Sequence, residues 1–168
     1  MTDTDDIFVT GLRNAHAMEN QALSIMKPQV SRIENYPEVA HRLQQHITET
    51  EGQIQRLEQI LEGLGESRSM LKDAVLSVGG AMATIGHTVA PDEIIKNSIA
   101  NFAFENYEIA AYKSLLALAN QASNSSATSL LQQNLQEELS MAEWLDQNIE
   151  TVTLKYAALR ESGQSAKK

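Results

Sequence analysis

From Leu131 to Leu159, nine positions recur at alternating intervals of four and three: Leu131, Leu135, Glu138, Ala142, Leu145, Ile149, Val152, Tyr156 and Leu159. Such spacing keeps side chains on one face of an α-helix for about eight turns. No proline or glycine interrupts the stretch. A helix that long with a continuous apolar seam must be covered by other helices, which points to an all-α bundle. One member of the seam, Glu138, is charged where an aliphatic side chain is expected.

The three prolines and eight glycines of the 168-residue chain mark the remaining boundaries. Pro37 suits the first turn of a helix, and Gly63 and Gly65 suit its end. Pro91, followed by Asp92 and Glu93, opens another with acids at the positive end of the dipole. The run Ser123-Asn124-Ser125-Ser126 reads as a turn with a capping residue. These marks predict helices over 5–34, 37–63, 91–121 and 126–160, with Pro28 bending the first. Between Gly65 and Pro91, the spacing of Leu71, Val75, Val78, Met82 and Ile85 predicts a short helix interrupted by Gly79-Gly80. No convincing strand is found. Tight joints pair the first two helices and the last two as antiparallel hairpins, and one long link joins the pairs. That is the ferritin-like variant of the four-helix bundle. The bundle is expected over 1–162, with 163–168 a flexible polar tail.

A formal charge of -9 gives no bulk attraction to nucleic acid or anionic membrane. The absence of cysteine excludes disulfides, thiolate zinc sites, iron–sulfur clusters and cysteine nucleophiles. No apolar run is long enough to span a bilayer, and the N-terminal segment is acidic rather than signal-like. The expected location is the cytoplasm, the expected assembly a homodimer.

The other helices also carry inward charge. In helix 1, Glu19 is the only charged member of the set Phe8, Leu12, Ala15, Glu19, Ala22 and Met26. Helix 3 presents Phe102, Glu105, Ile109, Tyr112, Leu116 and Ala119, with Glu108 on the flank. In helix 2 the inner face runs through Leu43, His46, Ile47, Thr50, Gln53, Ile54, Leu57 and Leu61, with Glu49 at its edge. Glu108 and Glu138 lie about 15 residues either side of their turn, hence at the same height. Glu19 and Glu49 flank the other turn with a mismatch of roughly 4 Å. Four buried carboxylates, with no arginine or lysine evident on these stripes, cannot all remain charged and unpaired, because desolvation costs several kcal/mol per charge. The remedies are protonation, basic partners or metal; two divalent cations would balance four charges, and carboxylate oxygens with an imidazole favour iron or manganese.

Each residue also has a structural reading. A single seam glutamate is more often an edge residue, and only the matched heights of four favour a site. His46 reads equally as a ligand or as a hydrogen-bonded core histidine. His16 reads as a flank residue, and His41 and His87 as peripheral. Gln53 and Tyr112 read as core-edge packing that could also donate hydrogen bonds to the carboxylates. The methionines and Trp144 read as packing or interface residues.

The segments AMENQ, QHITETEGQ, FENYEIAAY and QEELSMAEWL, with the ENYPE turn and the DEIIKNSI helix start, resemble the YciE/YciF family of ferritin-like bacterial stress proteins, most nearly its YciE members. The resemblance covers nearly the whole chain. It implies a ferritin-like fold similar to rubrerythrin-type di-iron proteins. It places Glu19 as a terminal ligand, Glu49 and Glu138 as the first residues of Glu-x-x-His pairs, and Glu105 and Glu108 as a helix 3 pair, one of them bridging. The sequence departs from that pattern at Gly52 and Met141, which stand where the two histidines are expected. His46, three residues before Glu49, is the candidate replacement for one of them. The expectation is therefore a site for two iron or manganese ions held by Glu19, Glu49, Glu105, Glu108, Glu138 and His46. Its chemistry would be oxidation of bound metal by peroxide or dioxygen in stress defence. The alternative is a non-enzymatic, oligomeric interaction protein whose site has decayed. An iron-storage shell and a DNA-binding role are less favoured.

Overall fold

The computed structural model describes residues 3–66 and 90–168. Four helices account for most of them: α1 (Asp3–Arg32), α2 (Pro37–Gly63), α3 (Glu93–Gln121) and α4 (Ser125–Glu161). Among the described residues there is no strand, and no helix is long and apolar enough to cross a membrane. Observed boundaries fall within two residues of those expected from the proline, glycine and capping signals. The helix α1 runs through Pro28. The short helix expected around Leu71–Ile85, and His87, lie outside the described residues.

The helix ends follow local chemistry. Pro37 opens α2, and the Asn124 side chain caps α4 by accepting a bond from the Ala127 amide at 3.0 Å. Past α2 and α4, Gly65 and Gly163 take positive φ angles of 86° and 73°. The amides of Glu66 and Gln164 then bond back to the carbonyls of Leu61 and Leu159, which satisfies carbonyls the helix leaves open.

Contacts between helix ends set the topology. Arg32 at the end of α1 pairs with Glu93 at the start of α3, at 2.8 Å, so these two helices are antiparallel. Near the start of α4, Asn134 and Glu137 meet Arg56 late in α2, while Lys155 meets Glu38 at 3.2 Å, so α2 and α4 are antiparallel as well. Glu66, just past α2, pairs with Arg13 low on α1, whereas Glu93 lies beside Arg32. The link from α2 to α3 therefore joins opposite ends of the bundle, about 28 Å apart along α1. Helices α1 and α4 run one way, α2 and α3 the other, joined by one long crossover: the ferritin-like arrangement.

The core runs the length of the bundle. It includes Phe8, Leu12 and Met26 of α1, Leu43 and Leu57 of α2, Tyr112 and Leu116 of α3, and Leu131 and Leu145 of α4. At about 25 cal/mol per Å² of apolar area removed from water, such seams hold the helices together.

The C-terminal residues differ from the frayed tail expected. After Gly163 the chain folds back over the end of the bundle. The Tyr36 hydroxyl donates to the Ala166 carbonyl at 2.7 Å, and the amides of Asn35 and Ile94 donate to the carbonyls of Lys168 and Lys167. Ala166 is buried. The segment is polar because it is held by its backbone rather than by an apolar face.

Candidate metal centre

Every helix contributes a buried polar side chain at mid-height. Glu19 from α1, His46 from α2, Glu105 and Glu108 from α3 and Glu138 from α4 are each no more than 3% exposed. The spacing of the seams explains why: each residue takes a position whose neighbours one turn away are core, so the helix cannot turn it outward without exposing them.

Single ligand atoms of His46, Glu105, Glu108 and Glu138 all lie within 4.8 Å of one another. His46 Nε2 is 3.2 Å from Glu105 Oε2 and 3.4 Å from Glu138 Oε2. Glu19 joins the group electrostatically, with Glu138, His46 and Glu105 all acting on its carboxyl. The Tyr112 hydroxyl donates a hydrogen bond to Glu19 Oε1 and accepts one from Asn134 Nδ2 at 3.0 Å.

Glu49 lies elsewhere than the sequence implied. Its side chain is 20% exposed, and its Oε2 accepts bonds from His46 Nδ1 at 2.7 Å and Arg42 Nη1 at 3.1 Å. Gln45 donates to the other oxygen. Glu49 thus stands behind the imidazole and turns its Nε2 toward the cluster, an arrangement known for carboxylates that orient metal-binding histidines. The expectation that no arginine lies along these stripes is corrected by Arg42. It is buried beside Leu43 and reaches down two turns to Glu49. Among the described residues no lysine or arginine forms an ion pair with Glu19, Glu105, Glu108 or Glu138. His16 is buried but pairs with Glu58 at 3.2 Å, away from the group, and His41 is exposed.

The charge state follows from burial. Desolvation, then repulsion from neighbouring carboxylates, holds Glu19 and Glu108 well above the usual carboxyl range. Burial also pushes Glu105 up, to about 8, against the pull of His46. Burial opposes ionisation of Glu138 and Glu49 too, but hydrogen bonds from His46 outweigh it and lower both. Burial would lower His46, yet its carboxylate neighbours, Glu105 first, raise it well above the ordinary value. Burial and mutual repulsion therefore favour the protonated forms of Glu19, Glu105 and Glu108, while the His46 imidazole favours the ionised forms of Glu138 and Glu49.

Several buried oxygens remain orphaned. Both oxygens of Glu108, Oε1 of Glu138 and Oε2 of Glu19 lack a hydrogen-bond partner. Native proteins leave few such atoms. Carboxyls from three helices and one imidazole nitrogen form an oxygen-rich donor set that could hold a metal ion.

The positions expected to hold histidine are apolar or empty of function toward the cluster. Met141 is fully buried. A Cβ on Gly52 would meet the Arg56 guanidinium at 3.5 Å, so that position faces Arg56. Asn134 was not singled out from the sequence, although it lies four residues before Glu138 and so shares its face.

The comparisons with known proteins agree with this architecture. The family described as "Domain of unknown function (DUF892)" matches residues 3–158. Protein YciF of Escherichia coli K12 is 28% identical over 146 residues, covering 82% of this chain and 85% of that protein. A solved structure from Xanthomonas campestris pv. campestris matches with a TM-score of 0.79 at 30% identity, over 95% of this chain and 99% of that one. The crystal structure of the E. coli stress protein YciF matches with a TM-score of 0.64 at 24% identity, over 89% of this chain and 96% of that one, and shows the shared fold.

Proposed function

The chain belongs to the DUF892 family, the group to which its helix motifs relate it as YciE/YciF, and from that premise we propose that it is a stress protein whose bundle core holds two iron or manganese ions. One observation supports this above the others. Four buried carboxyls surround a single imidazole, and several of their oxygens have no partner. Glu105, Glu108, Glu138 and His46 would hold the ions directly, Glu19 would close the set, and Glu49 would orient His46. The ions would supply the electrons that reduce peroxide or dioxygen. The surrounding Leu, Ile and Met side chains exclude water, and Tyr112 keeps a proton beside Glu19.

Metal analysis of protein purified without chelator tests the reading. Two ions per chain, lost in the Glu19→Ala/Glu138→Ala variant, are expected. Background metal at micromolar iron and manganese would overturn it. A second reading, an oligomeric interaction protein with a decayed site, draws on Gly52 and Met141. It expects that variant to keep or raise its thermal stability without metal and to keep its cellular phenotype.

A further inference from the structure

Asn134 is fully buried between α2, α3 and α4, and its neighbours fix which way its amide points. Arg56 Nε donates to Asn134 Oδ1, and a guanidinium can only donate. On the other side, Asn134 Nδ2 lies 3.4 Å from the Gln53 carbonyl, which can only accept. Oxygen must therefore face Arg56, and the amino group must face Gln53 and Tyr112. The same amino group donates to the Tyr112 hydroxyl at 3.0 Å, so the tyrosine oxygen is an acceptor there. The tyrosine proton is left one destination, Glu19 Oε1. That bond commits Oε1 and leaves Oε2, buried and without a partner, as the free oxygen. Arg56 is itself anchored at the surface by Glu137.

We infer that Arg56 is a positioning residue that acts through Asn134 and Tyr112 to decide which oxygen of Glu19 is presented to a metal. The relay has a direction because its outer end is a donor-only cation, and the Asn134 amino group it orients leaves the Tyr112 proton to Glu19. Without Arg56, only the long 3.4 Å contact with the Gln53 carbonyl still orients the Asn134 amide, so Tyr112 is freer to turn its proton outward and Glu19 to lose the bond that fixes its orientation. Partners one step removed from a ligand typically govern metal affinity by ten- to a hundredfold.

The inference rests on the metal reading above, and cobalt(II) titration of the whole chain, followed by its visible d–d spectrum, tests the two separately. Arg56→Met and Tyr112→Phe should each weaken cobalt binding about tenfold and shift the d–d band. Together they should weaken it no more than Tyr112→Phe alone, because Arg56 acts through that hydroxyl. Asn134→Asp keeps the volume and the bond from Arg56 but offers Tyr112 an acceptor, so it should lower affinity as Tyr112→Phe does. Additive losses in the double variant, or unchanged affinity and spectrum in the folded single variants, would overturn the relay while leaving the metal centre standing. Absence of cobalt binding by the unmutated chain would overturn the metal reading and this inference with it.

Discussion

Two regions of the bundle bury glutamate, and they treat it in opposite ways. At the upper end, Glu93 is 2% exposed, yet Arg32 holds its Oε1 through two nitrogens at 2.8 and 2.9 Å, and Lys167 from the docked C-terminal segment lies 3.6 Å from Oε2. At mid-height, Glu19, Glu105, Glu108 and Glu138 share one imidazole as their only ion-pairing cation among the described residues. Burial alone therefore does not mark a functional acid. The first region pairs its charge internally and ties three chain segments together. The second keeps protons where charge would otherwise be, which is the state a divalent cation can displace.

The largest expected difference between the regions is in their response to pH. In the metal-free protein, Glu19, Glu105 and Glu108 hold protons in the folded state at pH values where the unfolded chain has lost them. The folded state then binds more protons, so stability falls as pH rises. The loss begins above the unfolded glutamate value of about 4.3 and continues through the value of about 8 held by Glu105. His46 acts in the same direction, losing its contribution above the ordinary histidine range. Glu138 and Glu49 act oppositely and matter only in acid. Thermal denaturation without metal should show a loss of several kcal/mol between pH 5 and 8, and saturating manganese should reverse it. A flat profile would mean that the centre carries its charge differently.

Arg32→Met should break the internally paired region. Removing one partner of a buried pair costs about 3–5 kcal/mol, and the partial exposure of Arg32 reduces this to about 2 kcal/mol in chemical denaturation. Manganese affinity should be unchanged. A matching loss of metal binding would show that the two regions are not independent. Glu49→Gln keeps the shape behind His46 but removes the charge that pairs with buried Arg42, and should weaken manganese binding about tenfold while also lowering the metal-free melting temperature. An unchanged affinity would remove Glu49 from the machinery. The smallest effect belongs to Tyr36→Phe, which deletes the bond to the Ala166 carbonyl and should cost about 1 kcal/mol. A cost near zero would mean that the C-terminal segment is held by its other bonds.

The same contrast explains what was legible in the sequence. Glu19 and Glu138 stood out because each broke an apolar seam, and the crossover followed from two tight turns and one long link. Glu49 was drawn into the cluster because it sits at the edge of the inner face, where a helical wheel cannot tell inward from sideways. Its partner Arg42 decides the matter through a reach of seven residues that side-chain length, not spacing, allows. Glu93 and Asn101 extend the stripe of Glu105 and Glu108 toward the upper end of α3, yet Glu93 reads as a first-turn acid until Arg32 is seen beside it. Asn101 exchanges two amide bonds with Gln29 across 72 residues, a pairing that no local pattern encodes. The docked tail is hidden for a similar reason, since the hydrogen bonds that seat it run to its backbone carbonyls.

The most direct measurement is an anomalous-scattering map from crystals grown with manganese or iron. Two peaks bounded by His46 Nε2 and the carboxylates of Glu19, Glu105, Glu108 and Glu138, with Glu49 still bonded to His46 Nδ1, are the predicted result. A map with no density between those side chains at saturating metal would contradict the account.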